Sequence, residues 1–202
     1  TECYQSLKEL LRKKFRYQAM VGDEGGFVPP FKTVSERLEF MEKAVEDAGY
    51  KMKRDIVFAI DAASTQFFDG KNYKLATKTY SAAALLDYYK ALCKEYALVS
   101  IEDGFAEDDW GSWINFTREM GNKIQIVGDD LLTTNSKRIQ EGIKKKACNA
   151  LLVKVNQIGT LTEALDAAKL AQSADWKIIV SHRSGDTEDT FVADLAVGLS
   201  AG

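Results

Sequence analysis

The chain has few of the residues that mark linkers, disulfide frameworks or zinc sites. Its 202 residues include only two prolines, adjacent at positions 29–30, and one histidine, His182. The three cysteines lie far apart, at positions 3, 93 and 148, and no CxxC pair occurs. This usage is typical of reduced thiols in a cytoplasmic protein. Because no Pro-rich tract separates one part of the chain from another, we predict a single domain over residues 1–202.

Charge of one sign and long apolar runs are also scarce. The formal net charge is −3, whereas nucleic-acid binding normally requires a concentrated basic face. No apolar run approaches the ~20 residues that a transmembrane helix needs. The sequence therefore predicts neither a nucleic-acid partner nor a membrane span.

Short, continuous apolar runs recur along the chain and alternate with amphipathic helical stretches. Continuous rather than alternating apolar runs are typical of parallel strands that are buried on both faces. The five runs are VFAI (57–60), LVSI (98–101), IQIV (124–127), ALLV (150–153) and KIIV (177–180). Residues 81–96 and 160–173 have helical periodicity. Thr160 with Glu163, and Thr33 with Glu36, predict capping boxes at two helix starts. The alternation indicates an α/β fold with a parallel sheet.

The spacing of these runs favours a barrel over an open sheet. Neither GxGxxG nor GxxxxGK[ST], the phosphate loops of many open sheets, is present. The residues that follow the last four runs are 27, 25 and 28 positions apart, close to the roughly 30 residues per unit of a (β/α)8 barrel. Eight such units do not fit in 202 residues. We therefore predict an incomplete TIM-like (β/α)8 barrel.

Ionisable residues follow each apolar run within two positions. Asp61, Glu102 and Asp129 follow the first three runs, Lys154 follows the fourth, and His182, Arg183 and Ser184 follow the last. Asp103 and Asp130 adjoin the second and third of these positions. The carboxyl ends of barrel strands form one face, which carries the active site. We therefore expect these groups to converge at one mouth; a purely structural ion-pair network is the alternative.

The residue types indicate metal-assisted proton abstraction. Three carboxylates without His or Cys partners favour a hard cation, Mg²⁺ before Zn²⁺. Lys154 is a candidate general base, because a nearby divalent cation repels an ammonium group and favours the neutral amine. Arg183 and Ser184 suggest recognition of a phosphate. Glu24, between glycine pairs in VGDEGGF, is a candidate acid on a flexible loop.

Several segments together resemble the enolase family. VGDEGGF, FAIDAAS, SIEDGFAEDDW, VGDDLLTTN, LLVKVNQIGT and SHRSGDTEDT match its signature segments in order and spacing. The resemblance covers essentially the whole chain. It implies Mg²⁺-dependent dehydration of 2-phosphoglycerate to phosphoenolpyruvate, and a lysine base working with Mg²⁺ is already known from the enolase superfamily.

The resemblance also implies a role for each candidate residue. Asp61, Glu102 and Asp129 would bind Mg²⁺, Lys154 would take the proton from C2, and Glu24 would help to protonate the leaving hydroxyl group. Arg183 and Ser184 would hold the phosphate, and His182 would line the pocket. It further implies a cytoplasmic, homodimeric intact protein.

The chain also departs from the family pattern. The family's N-terminal α+β domain, first barrel stretch and second catalytic lysine have no counterpart in these residues, so we expect a partial barrel domain with little activity alone. Gly104 stands where the family usually has proline, which would loosen the backbone beside Glu102. Two alternatives stay open: another proton-abstracting enzyme of the superfamily, or a non-catalytic binding protein that uses the lysine-rich segment 67–75.

Overall fold

Five parallel strands form the central sheet in the computed structural model, which describes residues 1–16 and 21–202. Their order is β1-β4-β5-β6-β7, and each neighbouring pair is parallel. The strands are β1 (Phe58–Asp61), β4 (Leu98–Glu102), β5 (Gln125–Gly128), β6 (Ala150–Val153) and β7 (Lys177–Val180). All five predicted strands are confirmed within one residue at their ends. In the described residues the sheet is open at β1 and β7, as expected for part of a barrel.

Helices separate the strands and cover one face of the sheet. They are α1 (Glu2–Phe15), α2 (Val34–Asp47), α3 (Ala82–Glu95), α4 (Trp110–Met120), α5 (Ser136–Lys145), α6 (Val155–Ile158), α7 (Leu161–Gln172) and α8 (Phe191–Gly198). A 3₁₀ helix (Ser64–Phe67) and a hairpin of β2 (Tyr73–Leu75) and β3 (Lys78–Tyr80) lie between β1 and α3. The predicted α/β alternation is thereby confirmed.

Helix starts follow the sequence signals with one difference in detail. Thr33 and Glu36 form a complete capping box at the start of α2. At the start of α7, Thr160 accepts the backbone N–H of Glu163, but its hydroxyl also donates to the Glu163 carboxylate at 2.6 Å. That carboxylate is therefore bonded to the Thr160 side chain instead of completing a second capping box.

The core between the sheet and the helices is strongly aromatic near β4. Phe105 and Phe116 are almost fully buried and meet edge to face, with ring centroids 5.5 Å apart. The indole N–H of Trp113, also buried, donates to the Ala106 carbonyl at 3.0 Å. Gly104 lies against this cluster, because a Cβ added there would be 2.7 Å from Cε1 of Phe116. The missing side chain at position 104 thus leaves room for the Phe116 ring beside Glu102.

The lysine-rich segment 67–75 is a hydrogen-bonded turn that leads into the hairpin. Asp69 accepts the backbone N–H groups of Lys71 and Asn72 and pairs with Lys74 at 3.0 Å. These hydrogen bonds, led by that from Asn72, lower the pKa of Asp69 to about 2. The charges of Asp69 and Lys74 are therefore paired within this segment.

Across residues 1–16 and 21–202, none of the helices combines the length and the apolar character needed to cross a membrane.

Candidate active site

A cavity of about 460 Å³ lies at the carboxyl ends of the strands. Seven of the eight predicted site residues line it: Glu24, Asp61, Glu102, Lys154, His182, Arg183 and Ser184. Parallel strands end at the same edge of a sheet, so residues that follow successive strands meet there. These seven side chains therefore converge at the carboxyl ends of the strands, as predicted. The eighth residue, Asp129, lies behind Lys154 and contacts it directly.

Asp61 and Glu102 end neighbouring strands and are paired in register. Burial, followed by repulsion from Asp61 and Asp129, raises the pKa of Glu102 to about 8. Burial also raises the pKa of Asp61, although its carboxylate accepts the Ala63 backbone N–H at 2.9 Å. The site therefore brings together carboxylates that repel one another when they are ionised.

Lys154 and Asp129 form a nearly buried ion pair. The Lys154 ammonium donates to Oδ2 of Asp129, and their side chains are 16% and 9% exposed. Oδ1 of Asp129 accepts the side-chain amide of Gln157 at 2.8 Å. Asp129 is thus held from both sides, and the Lys154 amine is directed at its carboxylate.

A second acidic group adjoins this site. Carboxylate oxygens of Asp103, Asp129 and Asp130 lie within 4.8 Å of one another, a spacing that could hold a metal ion. However, both oxygens of Asp103 already accept backbone N–H groups, from Asp129 at 3.1 Å and from Asp130 at 2.9 Å. The Asp103 carbonyl also accepts the backbone N–H of Ser64 at 3.0 Å. Asp103 therefore links the loops after β1, β4 and β5.

This anchoring position has an unusual backbone. Asp103 is buried and has a φ of 44°, a left-handed conformation that aspartate tolerates better than most residues. Burial raises its pKa to about 7, even though two N–H groups stabilise its charge. Glu102 lines the cavity, whereas Asp103 is buried and its carboxylate is bonded to the backbone of the loop after β5. The sequence places Asp103 next to Glu102 but indicates no role for it.

The donor set fits a hard divalent cation. Asp61, Glu102 and Asp129 supply oxygen ligands only, as Mg²⁺ prefers. Two of them have raised pKa values because burial and mutual repulsion disfavour their ionised forms. A bound cation would relieve that repulsion, and it would leave several coordination positions for water or a substrate.

Glu24 reaches the cavity from the opposite end of the chain. It sits in a tight turn in which Gly22 donates to the Gly26 carbonyl at 2.8 Å and Gly25 has a φ of 80°. Helix α1 anchors this turn, because the Tyr4 hydroxyl donates to the Gly25 carbonyl at 3.0 Å. The glycines thus provide a defined turn that carries the carboxylate to the loop after β7.

Glu24 is bonded to residues that were predicted to bind the substrate. The Ser184 hydroxyl donates to Oε1 of Glu24 at 2.6 Å, and Nε2 of His182 lies 3.9 Å from Oε2. The hydrogen bond from Ser184 is the main reason why the pKa of Glu24 is lowered. In this arrangement Glu24 is a carboxylate, so a role as proton donor requires that Ser184 release it. Arg183 is exposed, and its guanidinium donates to Oδ1 of Asn156 at 3.3 Å.

Comparison with known proteins assigns the whole length of this chain to one family. The family model described as "Enolase, C-terminal TIM barrel domain" matches residues 1–202. The chain belongs to the enolase family. The enolase of Thermococcus gammatolerans is 54% identical to it over 205 residues, and those of Thermococcus kodakarensis and Pyrococcus furiosus are 53% and 51% identical.

These enolases are longer proteins. Each alignment covers 100% of this chain but 48% of the relative. The chain thus spans about half the length of the curated relatives it matches.

Proposed function

We propose that the protein containing this chain is an enolase, a lyase that dehydrates 2-phosphoglycerate to phosphoenolpyruvate with Mg²⁺. Residues 1–202 would be one partial domain of its catalytic barrel. The observation that carries the proposal is the cavity at the strand ends, which seven of the eight predicted residues line. A cytoplasmic location and a homodimeric state follow from the family resemblance alone.

Lys154 would take the proton from C2 of the substrate. Its ammonium is bonded to Asp129 in this structure, so the lysine must lose a proton before it can act as a base. The nearly buried position of its amine limits competition from water. Lys154 also emerges from the end of β6, and this rigid strand fixes the direction from which it approaches the substrate.

Asp61, Glu102 and Asp129 would hold Mg²⁺. When bound, the ion neutralises the substrate carboxylate and the further negative charge that develops on it after proton abstraction. These carboxylates follow three adjacent strands. Asp129, whose two oxygens accept hydrogen bonds from Lys154 and Gln157, would share one of them with the ion.

Arg183 and Ser184 would bind the phosphate, and Glu24 would protonate the leaving hydroxyl. An incoming phosphate competes with Glu24 for the Ser184 hydroxyl, because that hydroxyl has one proton to donate. Substrate binding would therefore free the Glu24 carboxylate for protonation. His182, half-exposed beside Glu24, would line this end of the pocket.

The test is Mg²⁺-dependent formation of phosphoenolpyruvate, followed by its ultraviolet absorbance, in the longer protein and in this chain. We expect activity in the longer protein and little in the chain alone. Lys154→Ala should reduce the rate by about 10²-fold or more, the usual contribution of a general base. Lys177→Ala, an exposed lysine at the opposite end of the sheet, is the matched control.

One result would contradict the proposed mechanism, and another would contradict only the expectation of little activity in the chain alone. An unchanged rate in Lys154→Ala would remove the lysine from the mechanism. Turnover by the 202-residue chain that Lys154→Ala abolishes would show that the additional segments of the longer enolases are dispensable.

A further inference from the structure

A closed ring of hydrogen bonds joins the candidate base to a candidate metal ligand. Lys154 donates its ammonium to Oδ2 of Asp129, and Gln157 donates its side-chain amide to Oδ1 at 2.8 Å. The carbonyl oxygen of the same Gln157 side chain accepts the Thr134 hydroxyl at 2.9 Å. Oγ1 of Thr134 in turn accepts the backbone N–H of Lys154 at 3.0 Å. The ring therefore begins and ends on Lys154.

The ring fixes which way the Gln157 amide faces. A threonine hydroxyl has a single proton, and the Lys154 backbone N–H already donates to its oxygen. The hydroxyl proton is then directed to Oε1 of Gln157, because the other acceptor in reach, the Leu152 carbonyl, is at the longer distance of 3.5 Å. With Oε1 held by Thr134, the amide nitrogen must face Asp129.

The local backbone is arranged to deliver both partners. Gln157 lies three residues after Lys154 on the short helix α6, and its backbone N–H donates to the Lys154 carbonyl at 3.0 Å. Thr134 is fully buried. Thr133 and Thr134 have φ values of 47° and 53°, which are outliers for β-branched residues. Such strain persists only where surrounding contacts determine the conformation, and it concentrates at functional sites.

We propose that Gln157 is a positioning residue for Asp129 and Lys154, and that Thr134 sets the orientation of its amide. The inference rests on the proposed function, since it gives the pair Asp129 and Lys154 their roles as metal ligand and base. Gln157 engages one oxygen of Asp129 and leaves the other to Lys154 and to a cation. Without Gln157 the carboxylate could rotate about its terminal bond, and both roles would lose their fixed geometry.

The experiment measures binding of Mn²⁺, as a paramagnetic substitute for Mg²⁺, to the 202-residue chain by electron paramagnetic resonance. Gln157→Met keeps the length of the side chain without its hydrogen bonds, and Thr134→Val keeps the shape without the hydroxyl. We expect each to weaken Mn²⁺ binding by about 10- to 100-fold, the usual effect of losing a partner of a metal ligand. Thr134→Ser retains the hydroxyl and should restore most of the affinity.

Gln172→Met is the matched control, because Gln172 donates a comparable side-chain hydrogen bond, to the Leu199 carbonyl at 3.0 Å, away from the site. It should leave Mn²⁺ affinity unchanged. A positioning partner contributes far more than about twofold to metal affinity. The inference is therefore wrong if the Kd of Gln157→Met for Mn²⁺ lies within about twofold of that of the unsubstituted chain.

A second measurement separates this inference from the proposed metal site. If the unsubstituted chain binds Mn²⁺ no more tightly than Asp129→Ala, the metal assignment for this chain fails. The side-chain amide of Gln157, observed by ¹H–¹⁵N nuclear magnetic resonance, then decides the inference by itself. A slowly exchanging signal that shifts in Thr134→Val supports the positioning role, whereas the signal of a freely exposed glutamine overturns it.

Discussion

The raised pKa of Glu102 predicts that the metal-free chain loses stability as the pH rises. A carboxyl group whose pKa is raised in the folded state binds its proton more tightly there than in the unfolded chain. Glu102 therefore does not lower the free energy of unfolding below about pH 4.5, the ordinary pKa of glutamate. Its destabilising effect is complete above about pH 8. Replacing Glu102 by glutamine keeps the shape and removes the charge, so it should remove this part of the pH dependence.

The size of the effect follows from the pKa values. A rise from 4.5 to about 8, at about 1.36 kcal/mol per pH unit, corresponds to ~5 kcal/mol without solvent screening. Glu102 is only partly buried and opens into the cavity, so screening reduces this value, and we expect about 2 kcal/mol. The glutamine variant should thus gain about 2 kcal/mol over the unsubstituted chain at pH 8.5 and little at about pH 4, below the ordinary pKa of glutamate.

The assay is urea denaturation of both chains between about pH 4 and 8.5, with and without Mg²⁺. Asp103, whose pKa is raised to about 7, titrates in both chains, so the difference between them isolates Glu102 and its repulsion of Asp61. Mg²⁺ should stabilise the unsubstituted chain, by ~2.7 kcal/mol at a concentration 100 times the Kd, and should stabilise Glu102→Gln less. Parallel pH profiles for the two chains, or equal stabilisation by Mg²⁺, would refute the reasoning.

Three further substitutions test the packing and the caps by thermal or urea unfolding. Gly104→Ala places a methyl group against the buried ring of Phe116 and should destabilise the chain by about 1–3 kcal/mol; a neutral result would show that the ring moves freely. Tyr73→Phe removes a buried hydroxyl that donates to Asp109 at 2.7 Å, which should cost about 1–3 kcal/mol; no loss would mean that water replaces it. Thr33→Ala removes the α2 cap and should cost about 1 kcal/mol, and an unchanged midpoint would contradict the importance of that capping box.

Much of the site could be predicted from the sequence because it depends on local order along the chain. Each apolar run is long enough to form a strand, and the residue after it lies at the strand's carboxyl end. Parallel pairing of β1, β4, β5, β6 and β7 then brings those ends to one edge. The predicted positions of Asp61, Glu102, Lys154 and the 182–184 cluster required no knowledge of how individual side chains pack. Their roles in catalysis stay predictions until the variants are measured.

The partners of these residues were decided only by the tertiary structure. Glu24 and Ser184 are 160 residues apart, and nothing in their spacing indicates a hydrogen bond between them. Thr134 reaches Gln157 only because two adjacent threonines adopt left-handed backbone angles that their residue type disfavours. A pattern of residue types specifies strands, their direction and their ends, because these depend on interactions between near neighbours in the chain. Side-chain hydrogen bonds between distant segments depend on distances of a few tenths of an ångström, and only the packed chain sets those.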